Sequence, residues 1–248
     1  MGWDMFFSKK VSGCLACLLL MSSFVSCGVS NKSIQRHMKM EEGVTNPLTI
    51  EELKEAIGKY QNRVAEQQLA MSQIGMWYRL LGTRYVDNKM YGEALKCFQE
   101  ALKYYPDNQN LYYYVGLCGG YMSHAALDFD GTGSSEQKFN YLKLSEEAYK
   151  RALAIDDRYT NAMYGLAVLY VFELGESELA IPLLEKLLTI DTRHTDAMFV
   201  LARAYFEVFD FEKSVEMYDR IMSVTKNADK IADAENNKRT VLEASYGN

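Results

Sequence analysis

The chain has 248 residues, with 27 Lys and Arg against 33 Asp and Glu and a formal net charge of −6. An acidic balance without clustered basic residues argues against a nucleic-acid-binding surface and gives no electrostatic attraction to anionic lipid heads. With 48% hydrophobic and 24% charged residues, three prolines and no strand-like alternation, the composition is that of an all-α globular protein.

The first 26 residues are set apart from the fold. Lys9 and Lys10 precede an apolar run, Val11–Val25, of 15 residues. That is short of the roughly 20 residues a bilayer-spanning helix needs. The run ends in Phe24-Val25-Ser26-Cys27-Gly28. A basic start, a short apolar stretch and a small residue before a cysteine resemble the signal of bacterial lipoproteins. The resemblance implies cleavage after residue 26, lipid attachment at Cys27, and membrane association through a lipid anchor rather than a spanning helix. It places the chain in the bacterial cell envelope, on the periplasmic side. Residues 27–48 are polar, carry Gly43 and Pro47, and read as a lipidated tether. A flexible chain of this length averages roughly 25 Å end to end.

Residues 49–248 read as one helical domain. Thr49 and Glu52 form a capping box, opening a helix with Ile50, Leu53, Ile57, Tyr60 and Val64 on one face. That face is expected to dock on the segment that follows. From Tyr78 to Pro106 come Tyr78, Leu81, Gly82, Tyr85, Ala94, Phe98, Ala101 and Pro106. This pattern implies two amphipathic helices that approach closely at Gly82 and Ala94, with Asp87-Asn88-Lys89 as the turn between them. Gly116 lies 34 residues after Gly82, and Ala202 lies 35 after Ala167. The extra residue of that last interval is assigned to the turn at Gly175-Glu176. Second-helix positions recur as Ser145/Tyr149/Ala152, Ala180/Leu184/Leu187 and Ser214/Tyr218/Ile221. Pro182 falls inside one of these helices, where its missing N–H should produce a kink.

This periodicity resembles the tetratricopeptide (TPR) repeat, a 34-residue helix–turn–helix unit. The resemblance implies a TPR superhelix, an α-solenoid of antiparallel helix pairs. Four repeats are read at about 75–108, 109–157, 160–192 and 195–226, with a flanking helix before them and a capping helix at about 228–245. A single unit cannot bury its own apolar face, so stacking makes the core. The second repeat carries an insertion at about 122–138. Its Asp128, Asp130 and Glu136 miss the calcium-loop spacing, since Gly131 would be loop position 4 and Phe139 position 12. Nor does Gly131-Thr132-Gly133-Ser134-Ser135 follow a strand or precede Gly-Lys, as a phosphate cradle would. A polar surface loop with a Ser135 cap is the reading.

No catalytic residue, metal site or cofactor is nominated. His37, His124 and His194 are far apart, and no Cys-x-x-Cys or Gly-x-Ser-x-Gly motif occurs. Cys97 and Cys118 read either as buried thiols or as a disulfide. The TPR resemblance implies binding along the concave, first-helix surface. The matching positions are Arg79 and Thr83, Tyr113 and Tyr121, Tyr164 and Phe172, then Phe199, Arg203 and Phe206. The Lys and Asn clamp of chaperone-binding TPR proteins is missing. An aromatic surface suits a protein partner, as a peptide or amphipathic helix, in a scaffold or adaptor role. The competing expectation is a small hydrophobic ligand, as in TPR lipoproteins that accompany periplasmic transporters. Four repeats are too open to enclose one alone, so an oligomer or a terminal helix would have to close the site. A further alternative makes these aromatics core.

Overall fold

The computed structural model describes residues 49–126 and 136–246. The signal segment, Cys27 and the tether lie outside the described residues, as do Asp128, Asp130 and the Gly-rich part of the insertion. The first unit, up to Ala65, is the start of helix α1 (Ile50–Asp87). The Thr49 amide donates to Glu52 Oε2 (3.1 Å) and the Glu52 amide to Thr49 Oγ1 (3.2 Å), the reciprocal pair of a capping box. Within this unit Ile50, Leu53, Ile57, Tyr60 and Val64 all stand exposed.

The second unit, Glu66 onward, takes in the rest of α1 and eight more helices among the described residues. These are α2 (Tyr91–Leu102), α3 (Gln109–Ala125), α4 (Glu136–Ile155), α5 (Thr160–Leu169), α6 (Ser177–Ile190), α7 (Thr195–Glu207), α8 (Phe211–Val224) and α9 (Ala228–Tyr246). A five-residue π-helical turn, Tyr170–Leu174, extends α5. From α2 onward each helix packs on the next in sequence: α3 on α2, α4 on α3, α5 on α4, and so on to α9 on α8. This is nearest-neighbour stacking.

Close approach inside each pair follows from the small residues. A Cβ on Gly82 would lie 2.8 Å from the Phe98 ring, and one on Gly116 would lie 2.8 Å from the Tyr149 ring. Ala94, Phe98, Ala101, Tyr149 and Ala152 are all buried. Two second-helix serines add a polar tie at the same repeat position. Ser145 Oγ donates to the Gly116 carbonyl (2.7 Å), and Ser214 Oγ donates to the Ala202 carbonyl (2.8 Å).

The π-helical turn corrects the placement of the extra residue. The turns after α1 and α7 close by a bond from Met90 N to Tyr85 O (2.8 Å) and from Asp210 N to Tyr205 O (2.9 Å), five residues back. The equivalent bond in the third repeat runs from Glu176 N to Tyr170 O (2.8 Å), six residues back. The insertion is therefore absorbed between Tyr170 and Leu174 by widening the helix, as π-bulges do, and not by lengthening the turn. Gly175 then takes the left-handed conformation (φ 69°) that ends the element. Helix α6 continues through Pro182 from Ser177 to Ile190.

Helix α9 covers the last pair by burying Ala234 and Val241, with Ile231 and Leu242 half-buried. Lys238 reaches Asp219 (2.6 Å) and Lys230 reaches Asp196 (2.6 Å). Its outer face is charged, as a solenoid end requires. Cys97 and Cys118 are both buried and free, which settles the disulfide alternative. Burial pushes the Cys118 thiol up to about 12.

Candidate functional site

The first helices α3, α5 and α7 carry Tyr113, Tyr164 and Phe199 at one repeat position, three residues before Gly116, Ala167 and Ala202. All three are half-buried and lean on the core. Each ring is held within its own neighbourhood. Tyr113 meets Tyr159 edge-on at 5.8 Å and lies 6.1 Å from Tyr149. Tyr164 faces the His194 ring at 5.2 Å, and Phe199 meets Tyr218 at 6.1 Å. Burial raises the phenol pKa of both Tyr113 and Tyr164. His194 itself is fixed as a helix cap, with Nδ1 accepting from the Ala197 amide (3.1 Å).

The remaining expected site residues divide by exposure. Tyr121 is exposed and stacked flat on Tyr91, with centroids 4.1 Å apart. Phe172 is exposed on the π-helical turn. Arg203 lies over the Phe206 ring at 5.5 Å and pairs with Glu207 (2.6 Å), whose other carboxylate oxygen accepts from Ser177 Oγ. Phe206 is half-buried against Phe211 (5.7 Å), and Arg79 is exposed. No ring of this set stacks on another ring of the set. The structure thus supplies a row of separate half-buried aromatics rather than a continuous open aromatic groove.

The π-helical turn has a second consequence here. Glu173, only 15% exposed, receives His124 Nε2 (3.3 Å) from the end of α3 and Lys138 Nζ (3.3 Å) from the start of α4. One carboxylate from the third repeat thereby holds both flanks of the insertion.

Sequence reasoning missed another feature. Ile74, Trp77, Tyr78, Leu80, Leu81 and Arg84 of α1 line a shallow depression of about 470 Å³. Trp77 is 61% exposed there. The signal was present in the spacing: Ile74, Trp77, Leu81 and Arg84 fall on one helical face, beside but not within the face that packs on α2. Among the described residues, no three His, Cys, Asp or Glu side chains gather into a metal-binding group, and no helix is long and apolar enough to cross a membrane.

Residues 76–108 and 160–194 each match a family model described as tetratricopeptide repeat. No curated protein matches the chain. Among solved structures, a thermophilic TPR protein of Thermus thermophilus is similar with a TM-score of 0.54 at 17% identity, covering 77% of this chain and 94% of that one. MamA of Desulfovibrio magneticus is similar with a TM-score of 0.53 at 15% identity, covering 68% and 90%. YrrB, described as a TPR protein with an unusual peptide-binding site, is similar with a TM-score of 0.52 at 21% identity, covering 74% and 87%. At these identities the likeness speaks for the fold alone. That fold is the tetratricopeptide-repeat solenoid, and two segments of the chain carry the repeat itself.

Proposed function

We propose that this chain is a lipid-anchored scaffold or adaptor of the bacterial envelope that binds a protein partner along its first helices. The observation that carries the binding reading is the row Tyr113, Tyr164 and Phe199. Each ring packs against the core and is half-buried, at the same position in three successive repeats. Rigid aromatics of this kind offer contact area at low entropic cost, which suits a peptide or an amphipathic helix. Tetratricopeptide-repeat proteins generally act by binding rather than catalysis, and the peptide-binding site named for YrrB fits the same class of ligand. The anchor reading rests on the sequence running into Cys27.

Two measurements test the two parts. Partner recovery from detergent-solubilised membranes should fall with Tyr113→Ala plus Phe199→Ala and stay level with Glu212→Ala, an exposed position on α8. Equal recovery from both variants would refute the first-helix surface. Metabolic labelling with a fatty acid should mark the wild type and not Cys27→Ala, and label persisting in the variant would refute the anchor.

A further inference from the structure

The start of α1 carries a pattern that a repeat solenoid does not need. From Ile50 the sequence places Leu53, Ile57, Tyr60, Val64, Gln67, Met71 and Ile74 at alternating intervals of three and four residues. Seven of these eight positions are apolar. A three and a four together repeat every seven residues, or 3.5 residues per turn, shorter than the 3.6 of a straight helix, which is the spacing of a left-handed coiled-coil seam. Ile50, Leu53, Ile57, Tyr60 and Val64 are 44–66% exposed in the first unit, and Met71 and Ile74 are 59% and 42% exposed in the second. Farther along, α1 buries Gly75 and Gly82 and half-buries Tyr78 and Tyr85, which is where it serves the first repeat. The seam before that point has another use. Helices of this length draw most of their stability from packing of the apolar face.

We infer that residues 50–74 pair with the same segment of a second copy of this chain, as a parallel, in-register, two-stranded coiled coil. A 3.5-residue seam is met best by another helix carrying the same repeat, and a second copy supplies one. With Ile50 at heptad position a, the a positions are Ile50, Ile57, Val64 and Met71, and the d positions are Leu53, Tyr60, Gln67 and Ile74. β-Branched residues at three successive a positions, with Leu53 at the first d position, follow the pattern of two parallel strands. The single polar core residue, Gln67, meets its own counterpart only when the two strands are parallel and in register. The flanks agree. In parallel pairing Ala56 meets Gln61 and Arg63 meets Gln68 of the other strand, so no like charges face each other. Glu51, Glu52, Glu55, Lys59, Asn62 and Glu66 all fall on the outer face. Parallel pairing also brings both amino ends to one side, as anchoring of both copies at Cys27 requires. That point alone rests on the anchor reading.

The test uses the full chain in bacterial membranes and in detergent. Under a mild oxidant, Leu53→Cys and Ile74→Cys should each give a covalent dimer of the chain on a non-reducing gel, while Asn62→Cys on the outer face should not. The mass of the wild type in detergent should be that of two chains, and Val64→Glu should halve it while leaving the thermal transition of the repeats unchanged. Cys27→Ala should lose the lipid label and keep the cross-links, so failure of pairing and failure of anchoring are read separately. A wild type with the mass of one chain would overturn the proposal in favour of a helix from a different protein. Cross-linking at only one of positions 53 and 74 would overturn the parallel register. Cross-linking at 62 as readily as at 53 would show random encounter.

Discussion

Two residues carry backbone strain that the repeat imposes on them. Lys89 and Phe209 close the turns after α1 and α7 at φ of 59° and 62°, the conformation that Gly175 occupies in the third repeat. For a residue with a Cβ this conformation costs roughly 1–2 kcal/mol, part of which returns as unfolded-chain entropy when glycine replaces it. Lys89→Gly should therefore stabilise the chain by about 1 kcal/mol in denaturant unfolding; a loss of stability would show that the Lys89 side chain holds the turn. Phe209→Gly should gain less, because Phe209 meets Phe211 edge-on at 6.1 Å although it is 74% exposed. The row of first-helix aromatics makes a second test at this scale. A fully buried large aromatic costs about 3–5 kcal/mol on truncation to alanine. Tyr113, Tyr164 and Phe199 are only half-buried, so each should cost about half of that. Losses of the full buried size at all three would make them core residues and leave no surface for a partner.

The pairing of elements rests on glycines that face rings. Tyr149, 4% exposed, is wedged between two first helices: a Cβ on Gly116 of α3 would lie 2.8 Å from its ring, and one on Gly165 of α5 only 2.6 Å. Gly116→Ala should destabilise by about 1–3 kcal/mol, the usual penalty of overpacking. Gly58→Ala, with open space around its Cβ, should be neutral or slightly stabilising through helix propensity. Equal effects at the two sites would undermine the packing register. Much of this was legible in the sequence, because small residues 34 apart can recur at one face only if the same contact recurs. Gly82, Gly116 and Ala202 with Phe98, Tyr149 and Tyr218 announced the helix pairs. The capping box at Thr49 and Glu52 was equally plain, since it needs only local bonds. The π-helical turn was not, because inserting one residue between Ala167 and Ala180 fixes the length of the segment but not which hydrogen bonds lengthen. Only the bond from Glu176 N to Tyr170 O places it. The aromatic row was legible in position and not in exposure. Whether a first-helix ring shows its face depends on partners such as Tyr159 and His194, which come from the following turns.

At the scale of the molecule, stability is passed from repeat to repeat, with α9 closing one end, and tyrosines lie at many of the joints. Tyr149 and Tyr205 are pushed well above the ordinary phenol range, both first by burial, Tyr205 with added help from its bond to Glu185 (2.5 Å). Burial also raises Tyr113, Tyr159, Tyr164, Tyr170 and Tyr218, and it takes the Cys118 thiol to about 12. The sign of the consequence follows from proton counting. Unfolded tyrosine releases its proton near pH 10 and unfolded cysteine near 8.5, whereas in the folded chain both stay protonated to higher pH. Above about pH 9 the unfolded state thus binds fewer protons than the native one, and stability falls as pH rises. The stabilisation from these neutral groups is complete below the unfolded values and is lost as pH climbs toward the folded ones. The urea midpoint should therefore be flat from about pH 7 to 8.5 and drop steadily above pH 9, each such group adding up to about 1.4 kcal/mol per pH unit. Tyr149→Phe cannot ionise in either state, so its decline should be shallower than that of the wild type even if its midpoint at neutral pH is lower. A midpoint that holds constant to pH 11 would mean that the phenols reach water without unfolding, and the stacked interfaces described for Tyr149 would have to be far looser than its contacts with Gly116 and Gly165 allow.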